Sequence, residues 1–280
     1  MKPGIFWIAS FPKSGNTWVR LILASLQAGG AAVDINRLGG AEDAISSSRR
    51  HFDILLDIDS SLLTPAEIQA ARPHVYRQQA QALHATAFRK THEACIDVDE
   101  GVPLFPPDVT EGAVYVVRDP RDVAVSLAHH AGATIDQAIE KMASPDYALS
   151  SFEGRLDTQV RQFVGDWSGN VTSWLDHGPC VPHLIRYEEM LADPATAIRH
   201  LARTAGLPAT EAAIDGTVRS TRFDGLRQQE REKGFIERPL KAERFFRAGT
   251  AGQWRQELTA DQVRRIERRH GAVMARLGYR

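Results

Sequence analysis

Ser10-Phe11-Pro12-Lys13-Ser14-Gly15-Asn16-Thr17-Trp18 follows an apolar run, Ile5 to Ala9, and leads into a segment, Thr17 to Leu26, whose apolar residues recur at helical spacing. The order is strand, Pro- and Gly-containing turn, helix. Such a turn aims several backbone N–H groups and the positive end of the helix dipole at one point, which suits phosphate-like anions. Lys13 adds a charge to that cradle, and Ser14, Asn16 and Thr17 add side-chain hydrogen-bonding groups. The plainer alternative is an ordinary turn with Asn16 or Thr17 as helix cap. Pro, Lys, Ser, Gly and Thr together in one loop favour anion binding.

The loop is not a Walker A loop. That pattern needs a Gly five residues before the second Gly and a Lys after it, whereas Ser10 and Asn16 hold those places and Lys13 precedes Gly15. The magnesium-binding Asp expected at the end of an apolar strand is replaced by Arg118. A P-loop nucleotide kinase is therefore the weaker alternative, and a reaction on an anion without a metal is the expectation.

Further along, Ala113 to Val117 is continuously apolar, as in a parallel strand covered on both faces, and Asp119-Pro120 opens a helix behind it. His183 to Tyr187 is a third short run, with helix resuming near Asp193-Pro194. Repeated strand-then-helix order predicts an α/β fold, a P-loop-like and mainly parallel central sheet with helices on both faces, in one domain spanning residues 1–280. Residues 31–81 and 131–159 read as helical cover and loops over a pocket. Thr259 to Leu277 reads as an amphipathic terminal helix whose Arg264, Arg265, Arg268 and Arg269 form a solvated face.

Composition narrows the class. The 280 residues are 43% hydrophobic and 25% charged, as in a globular protein, and the net charge of −1 offers no global attraction to nucleic acid or anionic membrane. Two cysteines, Cys95 and Cys180, are too few for a disulfide framework or a four-ligand zinc site. Pro12 and Lys13 interrupt the N-terminal apolar run before a signal-peptide core completes, and no stretch reaches the ~20 apolar residues of a membrane span. The expected location is the cytoplasm.

Arg118 at a strand end can pair with a phosphate through two parallel hydrogen bonds, with Ser126 on the next helix adding a hydroxyl donor. The alternative is a surface pair with Asp119 or Asp122. Several separated motifs, in one order over about residues 5–259, give the chain its resemblance to the sulfotransferases that use 3′-phosphoadenosine 5′-phosphosulfate (PAPS). Phe11 to Trp18 resembles that family's 5′-phosphosulfate loop, with Asn16 where Thr is commoner. Val116-Val117-Arg118-Asp119-Pro120-Arg121-Asp122, continuing to Ser126, resembles its 3′-phosphate motif. Arg247-Ala248-Gly249-Thr250-Ala251-Gly252-Gln253-Trp254 resembles its C-terminal loop on the same phosphate, with Ala248 where a second basic residue often stands. In the shortness of its lead before the first strand, the chain resembles bacterial small-molecule members.

The resemblance implies roles. Lys-Thr-His at residues 90–92 is similar to the strand end bearing the catalytic base, which gives His92 that role with Lys13 and Lys90 beside it; a lone histidine among ten would otherwise read as structural. His129 and His130 receive no catalytic role. Trp18, Tyr187, Thr221, Phe223 and Leu226 are similar to the nucleoside contacts, Leu226 standing in a Met place; Trp18 and Phe223 also fit as core residues. The implied cosubstrate is PAPS, the product 3′-phosphoadenosine 5′-phosphate (PAP), and the partner a small-molecule hydroxyl, phenol or amine. A non-catalytic nucleotide sensor would need neither Lys90 nor His92. The family's dimer pattern ends on Arg264 instead of Glu, so that dimer is not expected.

Overall fold

The computed structural model describes residues 3–38, 45–151 and 156–280; parts of both cover segments, residues 39–44 and 152–155, lie outside them. In chain order come β1 (Ile5–Ala9), α1 (Asn16–Gln27), α2 (Arg49–Leu56), α3 (Pro65–Gln81), β2 (Ala87–Thr91), β3 (Asp97–Asp99), β4 (Val102–Pro103) and β5 (Thr110–Val117). Next are α4 (Pro120–Ala131), α5 (Ile135–Ala143), β6 (Ala148–Leu149), β7 (Gln162–Phe163), α6 (Trp167–His177), β8 (His183–Arg186) and α7 (Tyr187–Ala192). The chain closes with α8 (Pro194–Thr204), α9 (Glu211–Ser220), α10 (Phe223–Lys233), α11 (Trp254–Glu257) and α12 (Ala260–Arg276).

Four strands form the central sheet in the order β2-β1-β5-β8, every neighbour parallel. Alternation along a strand explains its two covered faces. Ile5, Trp7 and Ala9 with Ala113, Tyr115 and Val117 face one core, shared with Trp167 and Trp174 of α6 and Ile266 and Met274 of α12. Phe6 and Ile8 with Val114 and Val116 face the other, shared with α1 and α8. The predicted sheet with helices on both faces is the observed one.

Boundaries differ modestly. The third sheet strand begins at Thr110, because Trp7 Nε1 donates to Thr110 Oγ1 at 2.9 Å and holds the polar start of β5 against β1. The arginines of α12 are less free than a solvated face implies: Arg265 pairs with Asp136 at 2.5 Å and Arg269 with Asp166 at 2.5 Å, tying α12 to α5 and to the start of α6.

One buried ion pair sets the end of β2. Arg72 of α3 forks onto Glu93, both almost fully buried, and also donates to Tyr76 Oη at 2.6 Å. Asn170 Nδ2 donates to His92 O at 3.1 Å and Trp174 Nε1 to Glu93 O at 2.8 Å. The residues just past β2 are thus clamped between α3 and α6.

Candidate active site

All four sheet strands deliver their carboxyl ends to one cavity of about 1080 Å³, the usual location of ligand sites in open parallel sheets. β1 leads into the loop at 10–15, β2 to His92, β5 to Arg118 and β8 to Tyr187. The volume stands at the upper end of the range for small-ligand pockets. Every residue predicted for the site lines it except Ser14, which is fully buried behind the loop.

The first loop turns through two left-handed residues, Lys13 at φ 70° and Gly15 at φ 111°. Gly15, not Asn16 or Thr17, takes the cap position of α1, which begins one residue early at Asn16. Asn16 is otherwise engaged: its Nδ2 donates to Ile8 O at 2.8 Å and to Ser10 Oγ at 3.2 Å, closing the loop on its own strand. A Cβ on Gly15 would stand 2.8 Å from the Tyr187 ring, so backbone and ring meet directly. Ser14 Oγ and Trp18 Nε1 are buried without partners, and the Trp18 and Tyr187 rings meet edge to face at 5.8 Å.

At the far end, Arg118 makes no pair with Asp119, and its long ion pair with Asp122 is buried, not on the surface. Asp119 is bound by Arg121 at 2.8 Å, and Asp122 lies 4.0 Å from Arg118 while accepting from Gly252 N at 2.6 Å and Trp254 N at 3.0 Å. Arg118 instead lies 4.4 Å from the Tyr187 ring centre, donates to Thr250 O at 3.0 Å, and keeps a buried Nε with no partner. The loop that Asp122 holds carries Arg247, Ala248 and Gly249 into the cavity. Gly249 has φ 65°, and a Cβ there would fall 2.3 Å from Phe223, so Phe223 and the loop close on one slot. Ser126, Thr221 and Leu226 line the same cavity; Thr221, just past α9, donates from Oγ1 to Thr217 O at 2.8 Å.

Between these ends stands a cluster of ionisable groups. Lys13 Nζ lies 3.1 Å from His130 Nδ1 and 4.3 Å from the Phe245 ring centre. Burial, then Lys90 and Arg118, lower the Lys13 pKa to about 7. His92 Nδ1 lies 2.9 Å from Ser10 O; a carbonyl only accepts, so Nδ1 carries the proton and Nε2 keeps its lone pair. Burial, then Lys90, push the His92 pKa down to about 3, so the ring is neutral at pH 7. Lys90 donates to Glu237 Oε2 at 3.2 Å, and Arg20 binds Glu237 Oε1 at 2.6 Å. Among the described residues, no group of three or more His, Cys, Asp or Glu side chains is placed to hold a metal ion.

Four participants were not singled out from sequence: His130, Arg20, Glu237 and Phe245. His130 was set aside although it follows Ser126 by one helical turn, a spacing that brings both to one face of α4. Glu237 and Phe245 lie in a charged stretch with no periodicity to mark them.

The sulfotransferase domain family model matches residues 3–278. Sulfotransferase 1C2 of Oryctolagus cuniculus is 24% identical over 278 residues, which span 95% of this chain and 81% of that protein. Cytosolic sulfotransferase 17 of Arabidopsis thaliana is 24% identical over 288 residues, spanning 95% and 73%. In fold, the chain superposes on mouse sulfotransferase SULT7A1, solved as a complex with PAP, with a TM-score of 0.61 at 20% identity, covering 98% of this chain and 85% of that one.

Proposed function

The chain belongs to the sulfotransferase domain family, and from that membership we propose that it transfers the sulfuryl group of PAPS to a hydroxyl, phenol or amine of a small molecule. The observation that carries the donor is the pairing of two anion-ready ends in one cavity: the loop at 10–15 with Lys13 and Gly15 on the wall, and Arg118 with a buried, unpartnered Nε. These residues fit a nucleotide with phosphates at both ends. Trp18, Tyr187 and Phe223, with the close approach at Gly249, form the slot suited to the base between them. When bound, PAPS supplies an activated sulfuryl group next to a phosphate leaving group.

The chain's own groups would do the rest. Lys13, Gly15 and the amino end of α1 hold the 5′ end and stabilise charge on the departing oxygen. Arg118, Ser126 and Arg247 hold the 3′-phosphate; Gln253 Oε1, 2.5 Å from Arg247 Nη2, orients that guanidinium, and with Ala248 in the place of a second base the charge here comes from Arg118 and Arg247. His92 Nε2 takes the acceptor proton, an effect worth about 10²–10⁴-fold. The burial and neighbouring cations that keep His92 neutral keep it able to accept, and the donor's negative charge would raise its basicity. Lys90 faces the sulfuryl oxygens, and positioning supplies most of the remaining acceleration. The relatives named cytosolic sulfotransferases support a cytoplasmic setting.

Incubation with PAPS and a panel of phenols, alcohols and amines, read by mass spectrometry, tests this reading. The expected result is equimolar PAP and a sulfated acceptor, with Lys13→Ala and His92→Ala each slowing turnover at least about 100-fold. Phosphoryl transfer from ATP and magnesium, with no sulfated product, would replace it by the kinase reading.

A further inference from the structure

Glu237 is the only acidic residue of the segment between α10 and Arg247 that lines the cavity. Its neighbours Ile236 and Leu240 are 66% and 106% exposed, whereas its own side chain is 17% exposed. The inward turn is built, because Asn36 brackets it: Asn36 Nδ2 donates to Gly234 O at 3.1 Å and Ile236 N to Asn36 Oδ1 at 2.9 Å. Glu230 fixes the far end, accepting from Phe245 N at 2.7 Å and Phe246 N at 2.9 Å. The strap therefore delivers one carboxylate to a fixed place, and two cations from different elements meet it there: Arg20 of α1 at 2.6 Å and Lys90 of β2 at 3.2 Å.

Building on the donor reading above, we propose that Glu237 is a positioning residue of sulfuryl transfer, an internal counter-anion that holds Lys90 at the cavity wall through a shared bridge with Arg20. Three ammonium or guanidinium groups, those of Lys13, Lys90 and Arg20, would otherwise face one another in a poorly solvated space, and a long lysine chain would have no fixed orientation. Arg20 occupies one carboxylate oxygen, so the other holds Lys90 with a single bond that can lengthen as an anion arrives. The same strap continues into Arg247 and Gly249, so the donor's 3′ end and the catalytic lysine are set by one stretch of backbone.

A carboxylate in this role has opposite effects on binding and on turnover. It opposes the donor's negative charge, and Coulombic coupling to Lys13 and His92 places it within reach of the reacting centre. It also orders the lysine that the transition state uses. Removing the charge should tighten nucleotide binding and slow transfer, whereas loss of a merely structural contact would weaken both.

The experiment compares wild-type, Glu237→Gln and Glu237→Asp chains by calorimetric titration with PAP, and by PAP release from PAPS with water and with 2-naphthol as probe acceptors. Glu237→Gln should bind PAP about 5-fold or more tightly and release it at least about 10-fold more slowly than wild type. Glu237→Asp, which keeps the charge on a shorter arm, should retain wild-type affinity and recover part of the turnover. Equal or weaker PAP binding by Glu237→Gln at an unchanged melting temperature overturns the proposal, as does wild-type turnover in that variant. A wild-type chain that binds no PAP overturns the donor reading and this inference with it, so the two failures are distinct.

Discussion

Lys13 is the residue on which the chemistry turns, and its charge state is set by its neighbours. Burial and the fields of Lys90 and Arg118 bring its pKa down from 10.5 to about 7, so at pH 8 the side chain is mostly neutral before a nucleotide binds. A bound polyanion reverses that balance and raises the pKa. Nucleotide binding at pH 8 should therefore take up a proton, seen as a calorimetric heat that varies with buffer ionisation enthalpy; Lys13→Arg, which stays charged throughout, should abolish the uptake. Heat independent of buffer in the wild-type chain would show that Lys13 is not the group so perturbed. For folding, the sign is that of a depressed pKa: the neutral form is favoured in the folded state, so stability is greater above 10.5 and falls as pH drops towards 7. At this scale the sequence told half the story. Lys13 and Arg118 were legible because each follows an apolar strand run, and Lys90 and His92 because Lys-Thr-His resembles a family strand end, but His130 and Glu237 act on Lys13 and Lys90 across 117 and 147 residues, beyond the reach of local spacing.

Among the elements, the start of α4 shows how a fold positions a site loop, the one at 247–254, from outside the cavity. Asp122, in the first turn of α4, accepts from Gly252 N and Trp254 N, while Arg121 stacks 3.9 Å over the Trp254 ring. Asp122→Ala would leave two backbone donors unsatisfied, at about 1–3 kcal/mol for such a loss. The expected outcome is a melting temperature lower by a few degrees and PAP binding at least about 10-fold weaker, because Arg247 and Gly249 lose their footing. Unchanged PAP affinity in calorimetry would show that the loop is held by other means. Asp122 was visible in sequence as a companion of Arg118; its service to a loop some 130 residues on was not, since nothing in either segment encodes the pairing. The strands, in contrast, were legible: Ile5 to Ala9 and Ala113 to Val117 are apolar throughout because both of their faces meet helices.

For the whole molecule, the sheet order β2-β1-β5-β8 gathers four strand ends, so residues as far apart in sequence as Lys13 and Tyr187 share one cavity. That convergence is what a chain of separated motifs predicts when strands alternate with helices. The cover over the acceptor side was not legible, because residues 31–81 and 131–159 follow no single period and their paths depend on contacts such as Arg72 with Glu93. The proposed donor recognition rests on phosphates at both ends of a nucleotide. It is tested most directly by titrating the chain with PAP and with 5′-AMP, which lacks the 3′-phosphate. Two or more charge-assisted hydrogen bonds from Arg118 and Arg247 should make PAP bind at least about 100-fold more tightly, and Arg118→Ala should collapse most of that ratio. Equal affinities for PAP and 5′-AMP in the wild-type chain would rule out recognition of the 3′-phosphate.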